Sequence, residues 1–163
     1  MSGAADKDGE AILVEETGAG RFQVKVTAHS ASFLVDEPTE AGGLGTGPNP
    51  YDLLSAALGA CSAMTVRLYA EQKKYPLAHV RVKVTHHRAA LAARDVFTRE
   101  ISFEGALDAA QTARLLAVAE RCPVYLTLTR GADVQTTIVQ VPPGADPATK
   151  CEHRAGMDEA CRE

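Results

Sequence analysis

The stretch that most constrains this chain is PYDLLSAALGACSAMTVRLYAEQK, residues 50–73. Asn49 is a favourable N-cap, Pro50 fits the first helical position, and Asp52 puts a negative charge in the first turn. A helix is therefore expected from Pro50 to about Lys73, stopping before Pro76. Leu53 to Val66 is a run of 14 residues without a charge, bracketed by Asp52 and Arg67. A bilayer span needs about 20 apolar residues, so the run predicts a core helix and no membrane partner. A helix with no polar face has to be covered on every side. Ser55, Ala56, Ala57, Gly59, Ala60, Ser62 and Ala63 keep it slim and permit close approach. One chain of 163 residues can barely bury such a helix, so a homodimer whose partner copy covers it is expected.

The flanking segments supply strands and shorter helices. Ala11 to Glu16 predicts a short strand and Gly18 to Gly20 a turn. Phe22, Val24 and Val26 alternate with Gln23, Lys25 and Thr27, the pattern of a half-buried strand, and Ser32 to Val35 predicts its partner. Asp36 to Pro50 carries four Gly and three Pro in 15 residues, which excludes helix and strand and leaves a flexible connector or an active-site loop. No Gly-Lys-Ser/Thr follows, so it is no phosphate loop. Val80, Val82 and Val84 alternate with Arg81, Lys83 and Thr85, and Phe97, Arg99, Ile101 and Phe103 alternate in the next strand, which Gly105 ends. Asp108 and Gln111 form a capping-box pattern for a helix carrying Leu115, Leu116, Val118 and Ala119. Pro123 interrupts that helix, a short helical turn runs towards Gly131, and Val134 to Val141 predicts a last strand. This order favours an α+β fold with a mostly antiparallel sheet. It predicts one domain over residues 11–141, between a disordered segment 1–10 and a polar tail 142–163.

Composition narrows the function. Seventeen basic against 21 acidic residues give a net charge of −4, with no Lys/Arg tract, which argues against nucleic acid as a partner. The start, MSGAADKDGE, is polar and acidic, unlike a signal peptide, so a cytoplasmic protein is expected. Four Cys are too few for a disulfide scaffold at this length, and each is read separately. Cys61 lies mid-helix among small apolar residues, where packing is the plain reading and burial raises a thiol pKa. It is about three turns into its helix, too far for a helix end to help it. Cys122 precedes Pro123, which makes it the N-cap of a new helical turn whose free amides point at the sulfur. Cys151 and Cys161 lie in the tail with only His153 nearby, without the paired spacing of a structural zinc site, so no metal is expected. His86 and His87 are adjacent in a strand, face opposite sides, and read as strand surface. No Ser-His-Asp arrangement, dinucleotide motif or kinase motif is present, and no cofactor is expected.

GPNPYDLLSAALGACSAMTVRLYAE, followed after 47 intervening residues by AERCPVYLTL, resembles the OsmC/organic-hydroperoxide-resistance family. The specific parts are the N-P-x-x-L helix start, the Ala60-Cys61 pair at its middle and the later Cys122-Pro123, and the resemblance covers roughly Gly18 to Val139. It looks closest to a branch with P-Y-D-L-L in the first motif. The resemblance implies an intertwined α+β homodimer, with two long central helices wrapped by curved sheets. It also implies a thiol peroxidase in oxidative-stress defence: Cys61 attacks an organic hydroperoxide, Cys122 resolves the resulting sulfenic acid as a disulfide, and a dithiol reductant restores both. Two departures bear on this. The peroxidases carry Glu where this chain has Tyr51, with Asp52 next along and about 100° round the helix. They also use an Arg from an upstream loop, whereas Asp36 to Pro50 holds no Arg or Lys and the nearest upstream Arg is Arg21. Tyr51, Asp52 and Arg21 are therefore the candidate supporting residues. A second reading is a non-peroxidase dimer of the same fold that binds a small hydrophobic ligand in its interface cleft, and a third is a thiol enzyme of another reaction type.

Overall fold

A computed structural model describes residues 11–29 and 31–138. They divide into two compact units, one ending at Asn49 and one spanning Pro50–Thr136. Segments 1–10 and 142–163, with the expectations placed on them and on Cys151 and Cys161, lie outside the described residues.

In the first unit, β1 (Ile12–Glu16), β2 (Val24–Ala28) and β3 (Ala31–Val35) form an antiparallel meander in sequence order. Val26, buried at the centre, lies opposite Val14 on one side and Phe33 on the other. The Gly/Pro-rich segment that follows is no slack connector. Asp36 is buried, and its carboxylate accepts from the amides of Glu37 (2.9 Å), Leu44 (3.0 Å) and Thr46 (3.3 Å) and from the Thr46 hydroxyl (2.8 Å). Burial pushes this carboxyl up, but those hydrogen bonds outweigh it and hold Asp36 below the ordinary value. Gln23 donates to Thr46 Oγ1 at 2.8 Å, tying the loop back to the meander. At Gly47 a Cβ would stand 2.1 Å from the Leu34 carbonyl, so only glycine allows the backbones to approach this closely.

The second unit is built on α1 (Pro50–Lys73), with the hairpin β4 (Leu77–His87) and β5 (Val96–Gly105), α2 (Ala109–Ala119) and α3 (Pro123–Arg130). α1 ends where expected. Lys74 takes a left-handed φ of 56°, Tyr75 N donates to Ala70 O and Lys74 N to Glu71 O, which is a Schellman closure. The hairpin is antiparallel, with Val80, Val82, Val84 and His86 opposite Phe103, Ile101, Arg99 and Phe97 on its inner face. The Asp108–Gln111 capping box forms as the sequence implies. α1 packs on β4, α2 and α3 through a stripe of Leu58, Ser62, Val66 and Ala70. Val66, Ala70, Leu77, Leu115 and Ala119 make the core, flanked by Val80, Ile101 and Phe103. The fold is α+β with antiparallel sheets, as expected.

Within one chain α1 buries one stripe only, and Met64 on another face is 67% exposed, with Leu54 and Leu68 also open. By length and composition alone α1 is also long and apolar enough to cross a membrane, at mean hydropathy 1.4, a property that core helices share. Over its described part the strand expected from Val134 to Val141 does not form: residues 131–138 have no regular structure, and Val134 and Ile138 are 87% and 93% exposed. A strand is held by a neighbouring edge, and among the described residues none pairs with this segment. Residues 139–141 lie outside the described residues.

A Cβ on Gly59 would meet Val84 at 3.5 Å and Val82 at 3.9 Å, which is ordinary contact. Glycine inside a helix costs up to about 1 kcal/mol relative to alanine. Gly59→Ala is therefore expected to raise the thermal midpoint by roughly 2–4 °C. A fall measured by scanning calorimetry would contradict this packing of α1 on β4.

Candidate active site

The middle of α1 and the start of α3 bring the cysteines together. Cys61 lies on α1, half-buried, one residue before the buried Ser62. α2 ends at Ala119, Pro123 begins α3, and Cys122 between them is its N-cap at φ −61°, ψ 140°. Cys122 is fully buried, and both cysteines are free thiols. The Tyr125 amide donates to Cys122 Sγ at 3.4 Å. Cys61 has the Val124 amide and the Cys122 thiol as hydrogen-bonding neighbours. The first turn of α3 thus presents one amide to each sulfur. The sequence reading allowed Cys61 no help from a helix end. Its own helix gives none, but α3 starts beside it. Burial pushes the Cys61 thiol up, the Val124 amide pulls it down, and Cys122 pushes it up again, leaving it above the ordinary thiol value.

Behind Cys122 lies a residue that sequence reasoning did not single out. Ser62 Oγ stands 3.6 Å from Cys122 Sγ and donates to the Leu58 carbonyl at 2.6 Å. Arg99 Nη1 donates to Ser62 Oγ at 2.7 Å and to the Ala119 carbonyl at 3.0 Å. Its guanidinium carbon lies 5.0 Å from the centre of the Tyr125 ring. The signal was present: Arg99 shares one strand face with Phe97, Ile101 and Phe103, and a cation on an apolar face needs a partner inside.

Two of the proposed supporting residues, Tyr51 and Asp52, stand at the start of α1. Tyr51 is about 15 Å along the axis of α1 from Cys61, at 1.5 Å per residue. It stacks on His86 at 4.1 Å with the rings 6° from parallel, and Arg88 lies 5.2 Å from its ring centre. His86 is therefore an inward residue, also against Phe97 at 4.8 Å, while His87 stays exposed as expected. Asp52 sits in the first turn of α1. Arg21 belongs to the other unit, where its guanidinium lies over Phe22 at 5.9 Å. Among the described residues no group of three or more His, Cys, Asp or Glu side chains is arranged to hold a metal ion.

Asp95 closes the Tyr51 cluster. Its Oδ1 pairs with Arg88 Nε and His86 Nε2, each at 2.7 Å. The Arg88 hydrogen bond first, then that of His86, lowers its carboxyl to about 2. A carboxyl lowered by folding stabilises the fold above its ordinary value near 3.8, and that contribution disappears as pH falls towards 2. Asp95→Asn is expected to flatten the loss of stability between about pH 4 and 2, as read from denaturant midpoints. An unchanged slope would contradict this pairing.

Two adjacent thiols thus lie together, one half-buried and one enclosed. A family model described as OsmC-like protein matches residues 43–137. Among solved structures, the chain is similar to an OsmC-like protein from Mycoplasma pneumoniae, with 17% identity over 76% of this chain and 89% of that one, and a TM-score of 0.63. It is similar to an organic hydroperoxide resistance protein OsmC from Legionella pneumophila, at 22% over 76% and 91%, with a TM-score of 0.58. It is also similar to the organic hydroperoxide resistance protein OhrB of Bacillus subtilis, at 21% over 76% and 92%, with a TM-score of 0.53. Identities this low carry the fold alone. No curated protein matches the chain.

Proposed function

Since the chain belongs to the OsmC-like protein family, we propose that it is a cysteine peroxidase that reduces organic hydroperoxides in defence against oxidative stress. The observation that carries this reading is the pairing of the Cys61 and Cys122 thiols, side by side at the start of α3. Two of the structural neighbours are named for organic hydroperoxide resistance, which points the same way. In the proposed cycle Cys61 loses its proton to solvent, and the thiolate attacks the terminal oxygen of the hydroperoxide. The O–O bond breaks, the alkoxide leaves and takes a proton, and Cys61 becomes a sulfenic acid. Cys122 then attacks the Cys61 sulfur, the S–O bond breaks, and hydroxide departs as water. An external dithiol supplies two electrons and two protons to restore both thiols. Such a cycle suits a reducing compartment, and we place it in the cytoplasm.

The working form in this reading is a homodimer. Leu54, Met64 and Leu68 on α1 and the unpaired Val134 and Ile138 are the apolar surface that a second copy would cover. Sedimentation at micromolar concentration is expected to give twice the chain mass of 17.2 kDa, and a stable monomer would remove this part of the reading. For the chemistry, cumene hydroperoxide is added to the Cys151→Ser, Cys161→Ser protein, followed by non-reducing peptide mapping. A 61–122 disulfide with consumption of one equivalent is expected. Absence of both outcomes would favour the second reading, a dimer that binds a small hydrophobic ligand, which the raised Cys61 thiol supports.

A further inference from the structure

The contacts of Ser62 point to a role beyond packing. A serine hydroxyl has one proton, and here it goes to the Leu58 carbonyl at 2.6 Å. Towards Cys122, 3.6 Å away, the oxygen therefore turns a lone pair, and the Cys122 thiol is the donor of that contact. Arg99 donates into the same oxygen at 2.7 Å. Rotation of one bond would redirect the Ser62 proton from Leu58 to the Cys122 sulfur, with Arg99 still donating behind it. The Leu58 carbonyl tolerates the loss, because it lies in α1 where the helix amide ladder also reaches it. The arrangement thus accommodates both forms of Cys122: a thiol that donates to Ser62, and a thiolate that receives from it.

We propose that Ser62 and Arg99 are positioning residues for Cys122, forming a hydroxyl relay, backed by a cation, that receives the negative charge on its sulfur. This rests on the reading of Cys122 as the resolving thiol, and it gives the charge a place at two moments of that cycle. At resolution, the proton of the enclosed Cys122 thiol passes to the sulfenic oxygen on Cys61, which departs as water, and the sulfur takes the Ser62 hydrogen bond. The electron pair then forms the S–S bond as the Cys61 S–O bond breaks, and the relay returns to Leu58. During recovery, a thiolate of the external dithiol attacks the half-exposed Cys61 sulfur. A mixed disulfide forms on Cys61 as the 61–122 S–S bond breaks, the electron pair leaves on Cys122 as a thiolate, and the Ser62 hydroxyl donates to it. Arg99 reaches Cys122 only through Ser62, and the Tyr125 amide at 3.4 Å supplies a second donor to the sulfur. In this chain a cation from β5 serves the second cysteine, whereas the upstream loop holds no Arg or Lys.

The test needs no peroxide. In a Cys61→Ala, Cys151→Ser, Cys161→Ser protein, Cys122 is the remaining thiol, and its thiolate is read by absorbance at 240 nm between pH 6 and 9. Ser62→Ala keeps the Arg99 bond to Ala119 and is expected to lower the thiolate signal at pH 8 by about threefold or more, with the thermal midpoint within a few degrees. Arg99→Gln is expected to lower it similarly, and Arg99→Lys to recover part of it. Equal signal in the parent and in Ser62→Ala would overturn the proposal. So would a loss that follows the fall in stability across the variants. A peroxide-inactive wild type with a normal Ser62 effect would instead overturn the peroxidase reading and leave the relay standing.

Discussion

Replacing Cys61 by serine is expected to lower the turnover of an organic hydroperoxide by at least about three orders of magnitude. An alcohol in that place is far less nucleophilic than a thiolate, and the neighbouring Cys122 thiol is enclosed. Cys122→Ser is expected to behave differently. Cys61 still reacts once, its sulfenic acid persists, and turnover resumes at a reduced rate when a small external thiol replaces the missing partner. Burial holds the Cys61 thiol above the ordinary value, with the neighbouring Cys122 adding to it. The rate of the first step is therefore expected to climb about tenfold per pH unit, and to keep climbing through pH 9. Stopped-flow measurement of sulfenic acid formation reads both effects. Equal turnover in the wild type and Cys61→Ser would reject the assignment. A plateau below pH 8 would mean that a cation outside the described contacts reaches the sulfur.

The largest structural effect is expected at Leu115. It is fully buried where α2 meets α1 and the hairpin, with Val66, Ala70, Leu77 and Ala119 around it. Leu115→Ala removes apolar area and leaves a cavity in a core that has few large residues with which to close it. The expected cost is about 2–5 kcal/mol, or roughly 5–15 °C in thermal midpoint for a chain of this size. Leu115→Met, which conserves volume, is expected to cost less than about 1.5 kcal/mol. Calorimetry on both variants checks the pair. Near-equal midpoints would show that volume at this position does not matter.

Local signals in the sequence placed nearly every element. Pro50, the apolar run and Pro76 bounded α1, Cys122-Pro123 marked the start of α3, and alternation marked both strands of the hairpin. These features depend on residues a few positions apart, which a sequence displays directly. The errors came from contacts between distant segments. That α3 would begin beside Cys61 could not be read from α1, because about 60 residues and a hairpin intervene. Arg99 was seen only as one member of an alternating strand, although its company of Phe97, Ile101 and Phe103 marked it as inward. From sequence His86 reads as strand surface, because adjacency to His87 shows which residues face apart, not which one faces the core. The strand expected at Val134 failed for a related reason. Val134, Thr136 and Ile138 alternate with Gln135 and Thr137 there, but alternation supplies a strand only when an edge waits for it.

The position of the two sulfurs also gives the oxidation state a mechanical meaning. Cys61 is held in the middle of α1 and Cys122 at the root of α3, with β4, β5 and α2 threaded between them in the chain. A bond between those sulfurs would close a loop of roughly 60 residues, which by chain entropy penalises the unfolded ensemble by about 4 kcal/mol. The enclosed loop contains Val66, Ala70, Leu77, Leu115 and Ala119, the whole of the buried core cluster. Each oxidation would therefore fasten that core shut and each reduction release it. A population of these molecules would carry a record of its recent redox history in how readily it unfolds or yields to a protease.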